Sequence, residues 1–141
     1  MTEVYVDVAA ASVEAGGTEA GNRLAAEPVS VRALRYLADA GIRVVLVTAG
    51  GGEPAGELRG VASEVVATIP ARPRGPAWYL TSDIARCQGA SAHLRTVLIG
   101  GTPPSGSVRR CDAVARDVQA AAMEILAAVA MPARAEDRVA P

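Results

Sequence analysis

Two aspartates close apolar runs that read as strands. Asp7 ends Val4-Tyr5-Val6-Asp7, and Asp83 follows Trp78-Tyr79-Leu80-Thr81-Ser82. A third run, Val44-Val45-Leu46-Val47, leads into Thr48. Polar groups at the carboxyl ends of strands sit where open parallel sheets bind ligands. Two carboxylates and a hydroxyl in one crevice have the chemistry of a metal-assisted phosphoryl site. Each residue also has a plainer reading. Asp7 would cap a loop at a strand end, and a Thr ending a strand is common. Gly50-Gly51-Gly52 is either a nest of amides that holds an anion or simply a turn.

The elements that must position these groups alternate between short apolar runs and helical patterns, the signature of an α/β protein. Strands are expected at Val4–Val8, Ile42–Val47, Val65–Ile69, Ala77–Thr81 and Thr96–Ile99. Ala9–Glu27 reads as a small-residue loop. Pro28 opens a helix through Ala40, with Val31, Leu34 and Leu37 on one face and Gly41 as its stop. Further helices are expected at Pro54–Ser63, Ile84–Ala92 and Ala113–Ala130. Residues 1–131 read as one domain and 132–141 as a frayed tail.

The chain has 141 residues, half of them apolar, with a formal charge of −1. That suits one soluble globular domain. Scattered basic residues and few aromatics exclude a nucleic-acid surface. No apolar run reaches the length of a membrane span, and no basic, apolar leader precedes the first strand, so a cytoplasmic setting is expected. There is no Lys, which excludes Schiff-base chemistry. Cys87 and Cys111 make neither a disulfide framework nor a zinc-ligand spacing. His93, the single His, reads as a surface residue.

With Asp7, Thr48 and Asp83 at three strand ends, the order of elements resembles the haloacid dehalogenase-like superfamily of phosphohydrolases. It is nearest to the capless histidinol-phosphate and heptose-bisphosphate phosphatases. Pro28 to Ile42 looks like their first helix entering the second strand. Ser82-Asp83-Ile84 through Arg95 to Gly101, then Cys111 to Ala115, looks like their carboxyl half. The resemblance implies a three-layer Rossmann-like fold around a five-stranded parallel sheet in the order 3-2-1-4-5. It also implies Asp7 as nucleophile, Thr48 with Gly50 and Gly51 as phosphoryl contacts, and Asp7 with Asp83 as ligands of Mg²⁺.

Several signature positions are changed. Ala9 and Ala11 stand where the family has a general acid and a Thr. General acid–base help of that kind contributes about 10² to 10⁴ in rate. The family's Lys is missing, and Arg72 and Arg74 are the nearest cations; Arg is no neutral swap for Lys. Ser82 replaces a Gly, and Arg86-Cys87 stands where a second acid would complete the metal site. Asp7 and Asp83 can still take Mg²⁺, because that ion keeps several waters, but weakly.

Three classes follow. The first expectation is a degenerate domain without efficient phosphatase activity, acting as a binding or assembly subunit. The alternative is an Mg²⁺-dependent phosphohydrolase of low or narrow activity, using Asp7 on a small phosphorylated substrate. The third is a different doubly wound domain related by fold analogy alone.

One geometric consequence concerns partners. Pro70 to Pro76 would be the whole link between the third and fourth strands, with an extended reach of about 24 Å and no room for a helix. One sheet face should then lack a covering helix, unless the last helix moves over it. A homodimer burying that face, with Trp78 or Tyr79 as its aromatic anchor, is the expectation.

Overall fold

The computed structural model describes residues 2–14, 24–48, 53–70, 72, 73, 75–100 and 111–130. Its centre is β1 (Glu3–Asp7), flanked by β4 (Arg43–Val47) and β6 (Ala77–Thr81) in parallel register. β5 (Glu64–Val66) extends the β4 side, while β7 (Arg95–Ile99) and β8 (Ala113–Ala115) extend the other. Every pairing in this sheet is parallel, and its order is β5-β4-β1-β6-β7-β8. Among the described residues the sheet has six strands where five are expected. The extra one is β8, whose Ala-Val-Ala sequence falls within the helix expected at Ala113–Ala130. A second small sheet pairs β2 (Ser12–Glu14) antiparallel with β3 (Leu24–Ala26), inside what reads as a loop.

Strand alternation divides the core in two. Val4, Val6, Val44, Leu46, Trp78, Leu80, Val97 and Ile99 point to one face. There they meet α1 (Pro28–Asp39), α2 (Gly56–Val61) and α4 (Val118–Ala130), and α4 lies beside α1. Proline opens α1 where its missing N–H costs nothing, and Gly41 closes it at φ +86, a left-handed backbone that suits glycine. Leu34 and Leu37 are fully buried; burying each contributes about 1.5–3 kcal/mol.

The opposite face carries Tyr5, Val45, Val47 and Tyr79, packed with Leu94, Ile69 and Ala90. Among the described residues no helix connects β5 to β6, as the proline spacing predicts. The short α3 (Ile84–Gln88) contacts both β6 and β7. Yet this face is closed rather than bare. Tyr79 is 1% exposed and Trp78, which faces the other core, 7%. The expected homodimer anchor is therefore corrected: neither aromatic is available to a partner. The strap supplies Ile69, and the turn after α3 supplies Leu94, in place of the missing helix. α4 does not cross over; it stays with α1.

The other expected boundaries differ in length. β5 ends at Val66 rather than Ile69, and α2 and α3 are shorter than expected. Gly50, Gly51, Arg74 and the tail at 132–141 lie outside the described residues.

Candidate functional site

Asp7 is the last residue of β1, and its side chain points to the face shared by Tyr5 and Tyr79. It is 7% exposed, so its charge is largely removed from water and needs partners. Three residues provide them. The Tyr79 hydroxyl lies 2.8 Å from both carboxylate oxygens, and the Thr81 hydroxyl donates to Oδ2 at 2.6 Å. The Arg86 guanidinium completes the set, with Nε 3.0 Å from Oδ2 and Nη2 3.3 Å from Oδ1. Arg86 Nε also donates to the Tyr79 hydroxyl at 2.7 Å. This fork-on-carboxylate geometry is the strong form of the ion pair.

Parallel register creates this arrangement. Tyr5 lies opposite Tyr79, and one face carries every second residue, so Asp7, Tyr79 and Thr81 share a side of the sheet. Arg86 arrives from α3, which begins just after β6. Asp83 caps that helix by accepting from the Ala85 N–H at 2.9 Å, and its own N–H donates to the Thr81 hydroxyl at 3.1 Å. Asp83 is exposed. Its carboxylate serves α3, while Asp7's serves Arg86, Tyr79 and Thr81, so the two carboxylates have separate partners.

Thr48 ends up against β5: its hydroxyl donates to the Val66 carbonyl at 3.3 Å, and its N–H to the same oxygen at 2.9 Å. Arg72 and His93 are exposed. Ala9 lies exposed in a 3₁₀ turn (Val8–Ala11) directly after Asp7, and Ala11 is buried. Sequence reasoning missed Tyr79 and Thr81 as partners of Asp7. The usable signal was their spacing of two residues on β6, which puts both on one face.

The two cysteines depart from expectation. Cys87 on α3 is bonded to Cys111, with a Cα–Cα separation of 5.7 Å. Spacing did not suggest the pair, which joins α3 to the entry of β8. Disulfides persist in oxidising surroundings, so a reducing cytosol is where this one would open. Among the described residues no helix is long and apolar enough to cross a membrane.

Electrostatics tightens the cluster. Burial, then the hydrogen bond to Asp7 and its charge, raise the Tyr79 hydroxyl above the ordinary value of 10.0. Burial and the bond to Glu3 push Tyr5 up to about 12. Burial acts to lower Arg86, but the bond and charge of Asp7 outweigh it and leave the guanidinium more firmly protonated. Both phenols are protonated more tightly folded than unfolded. Their contribution to stability is full below about pH 10 and lost as pH rises toward the folded values. Urea unfolding should therefore show a steeper stability loss between pH 10 and 12 in the wild type than in Tyr79→Phe. Equal slopes would mean that the Tyr79 bond to Asp7 is not held in solution.

Magnesium does not fit this donor set as built. Both Asp7 oxygens already accept bonds from Arg86, Tyr79 and Thr81, and Asp83 is spent on a helix cap. Among the described residues no group of three or more His, Cys, Asp or Glu could hold a metal.

No protein-family model matches the chain, and no curated protein matches its sequence. Solved structures do match. A D,D-heptose 1,7-bisphosphate phosphatase from Burkholderia thailandensis is 16% identical, with a TM-score of 0.60 over 89% of this chain and 99% of that one. The D,D-heptose 1,7-bisphosphate phosphatase from B. bronchiseptica, complexed with magnesium and phosphate, is 15% identical, with a TM-score of 0.55 over 89% and 98%. At such identity the likeness is one of fold: this chain shares the α/β fold of the heptose-bisphosphate phosphatases.

Proposed function

We propose that this domain has no efficient phosphatase activity and works as a binding or assembly subunit. One observation carries the reading: the guanidinium of Arg86 sits on the carboxylate of Asp7, the residue that the family resemblance would make the nucleophile. The fixed cation supplies the charge that a metal would otherwise bring. A carboxylate that accepts bonds from Arg86, Tyr79 and Thr81 has its lone pairs directed at donors and not at an incoming phosphorus. Exposed Ala9 offers no proton to a leaving oxygen. The ligand class proposed is a small phosphorylated molecule at the carboxyl edge of the sheet, because one structural neighbour is complexed with magnesium and phosphate.

Calorimetric titration with Mg²⁺ tests the reading. The wild type should give no saturable heat at millimolar ion, whereas Arg86→Ala should gain a binding isotherm that Asp83→Asn weakens. Saturable binding to the wild type, abolished by Asp7→Asn, would establish the two-carboxylate metal site and favour the Mg²⁺-dependent phosphohydrolase instead.

A further inference from the structure

The residue that blocks Asp7 is held in place by a removable bond. Arg86 rides on α3, a helix of five residues. Isolated helices under about 12 residues are marginal in water, so α3 depends on its anchors. Its start is anchored by the Asp83 cap. Its end is anchored by Cys87, next to Arg86, through the bond to Cys111. The separation of 5.7 Å lies within the roughly 4.4–6.8 Å that a disulfide spans.

The far side of the bond is itself fixed. Asp112, next to Cys111, accepts from the N–H of Thr96 at 2.8 Å and from its hydroxyl at 3.1 Å. The Asp112 N–H donates back to that hydroxyl at 3.0 Å. Thr96 belongs to β7 and is 3% exposed, so Cys111 is tied to a rigid strand. A continuous brace runs from β7 through Asp112, Cys111 and Cys87 to Arg86 and thence to Asp7.

We infer that the Cys87–Cys111 bond is a redox latch that keeps Arg86 on Asp7, and that a dithiol reductant releases it. This rests on the Arg86–Asp7 pairing above and adds its control. Cys111 is half-buried while Cys87 is 1% exposed, so a dithiol thiolate attacks the Cys111 sulfur. The bond to Cys87 breaks, and Cys87 leaves as a thiolate that takes up a proton. The second thiol of the reductant then displaces Cys111, which leaves as a thiolate and is protonated. The protein gains two electrons and two protons as two thiols, and the dithiol becomes a cyclic disulfide. α3 then loses its covalent anchor, and Arg86 can exchange its carboxylate for water.

Arginine modification by phenylglyoxal, mapped by peptide mass, reads the latch directly. Arg59, on α2 with a side chain 52% exposed, serves as the internal reference. Dithiothreitol should expose two thiols and speed modification of Arg86 about tenfold or more, as local opening of an unbraced segment implies. Arg59 should not respond. In Cys111→Ser, Arg86 should react at the faster rate with or without dithiothreitol. Two free thiols in the untreated wild type would overturn the latch, and so would an unchanged Arg86 rate after complete reduction. Arg86 reacting as fast as Arg59 before any reductant would remove the pairing itself, and the proposed function with it.

Discussion

The double variant Ala9→Asp/Arg86→Ala should hydrolyse an aryl phosphate at least about 10³-fold faster than the wild-type chain in magnesium buffer, a difference of about 4 kcal/mol in barrier. Ala9 follows Asp7 by two residues in an exposed 3₁₀ turn, so a carboxyl there can meet a leaving oxygen without repacking the core. A positioned acid of that kind contributes about 10² to 10⁴. Alone it should achieve little, because Arg86 still holds the carboxylate that would attack. Arg86→Ala alone frees Asp7 but leaves the departing oxygen unprotonated. The gain should therefore appear only in the combination, and Asp7→Asn in that background should erase it. The measurement is steady-state release of the aryl alcohol, with all five proteins purified in parallel. A wild type that already turns over at ordinary enzyme rates would show that Arg86 leaves Asp7 during catalysis, and the binding-subunit reading would be wrong.

The carboxyl ends of β4, β6 and β7 were legible because each closes a clear apolar run. Ala77–Thr81 was read to the residue, and the proline spacing foretold a strap without a helix. β8 was not legible: Ala113–Ala115 has helix-forming composition, and it is a strand because the edge of β7 pairs with it. The position of Asp7 could be read, but its partners could not. Which residue lies opposite Tyr5 depends on register between strands far apart in the chain. Arg86 was visible only as a departure from a family pattern, a cation where a second acid was expected. That a cation would reach back to the first carboxylate depends on where α3 lands. The disulfide was hidden for the same reason, since Cys87 and Cys111 are 24 residues apart and meet only after β7 is in place.

A double-mutant cycle between Asp7 and Arg86 should give a coupling energy of about 2 kcal/mol, between the values for surface and buried pairs. Exposure sets that figure. The Asp7 side chain is 10% exposed and that of Arg86 34%, so solvent screens one end of the pair and hardly the other. Removing a partner from a fully buried pair costs about 3–5 kcal/mol, and an exposed pair contributes at most about 1. The single variants should be unequal. Arg86→Met leaves a buried carboxylate with only the Tyr79 and Thr81 hydroxyls, which cannot neutralise it. Asp7→Asn leaves an arginine that can turn toward water, a milder loss. Adding Asp7→Asn to Arg86→Met should then restore stability, because no buried charge remains to be compensated. Urea unfolding with an unchanged m-value reports each corner of the cycle. A coupling below about 0.5 kcal/mol would put the pair in the surface class, too weak to keep a metal or a phosphate away from Asp7.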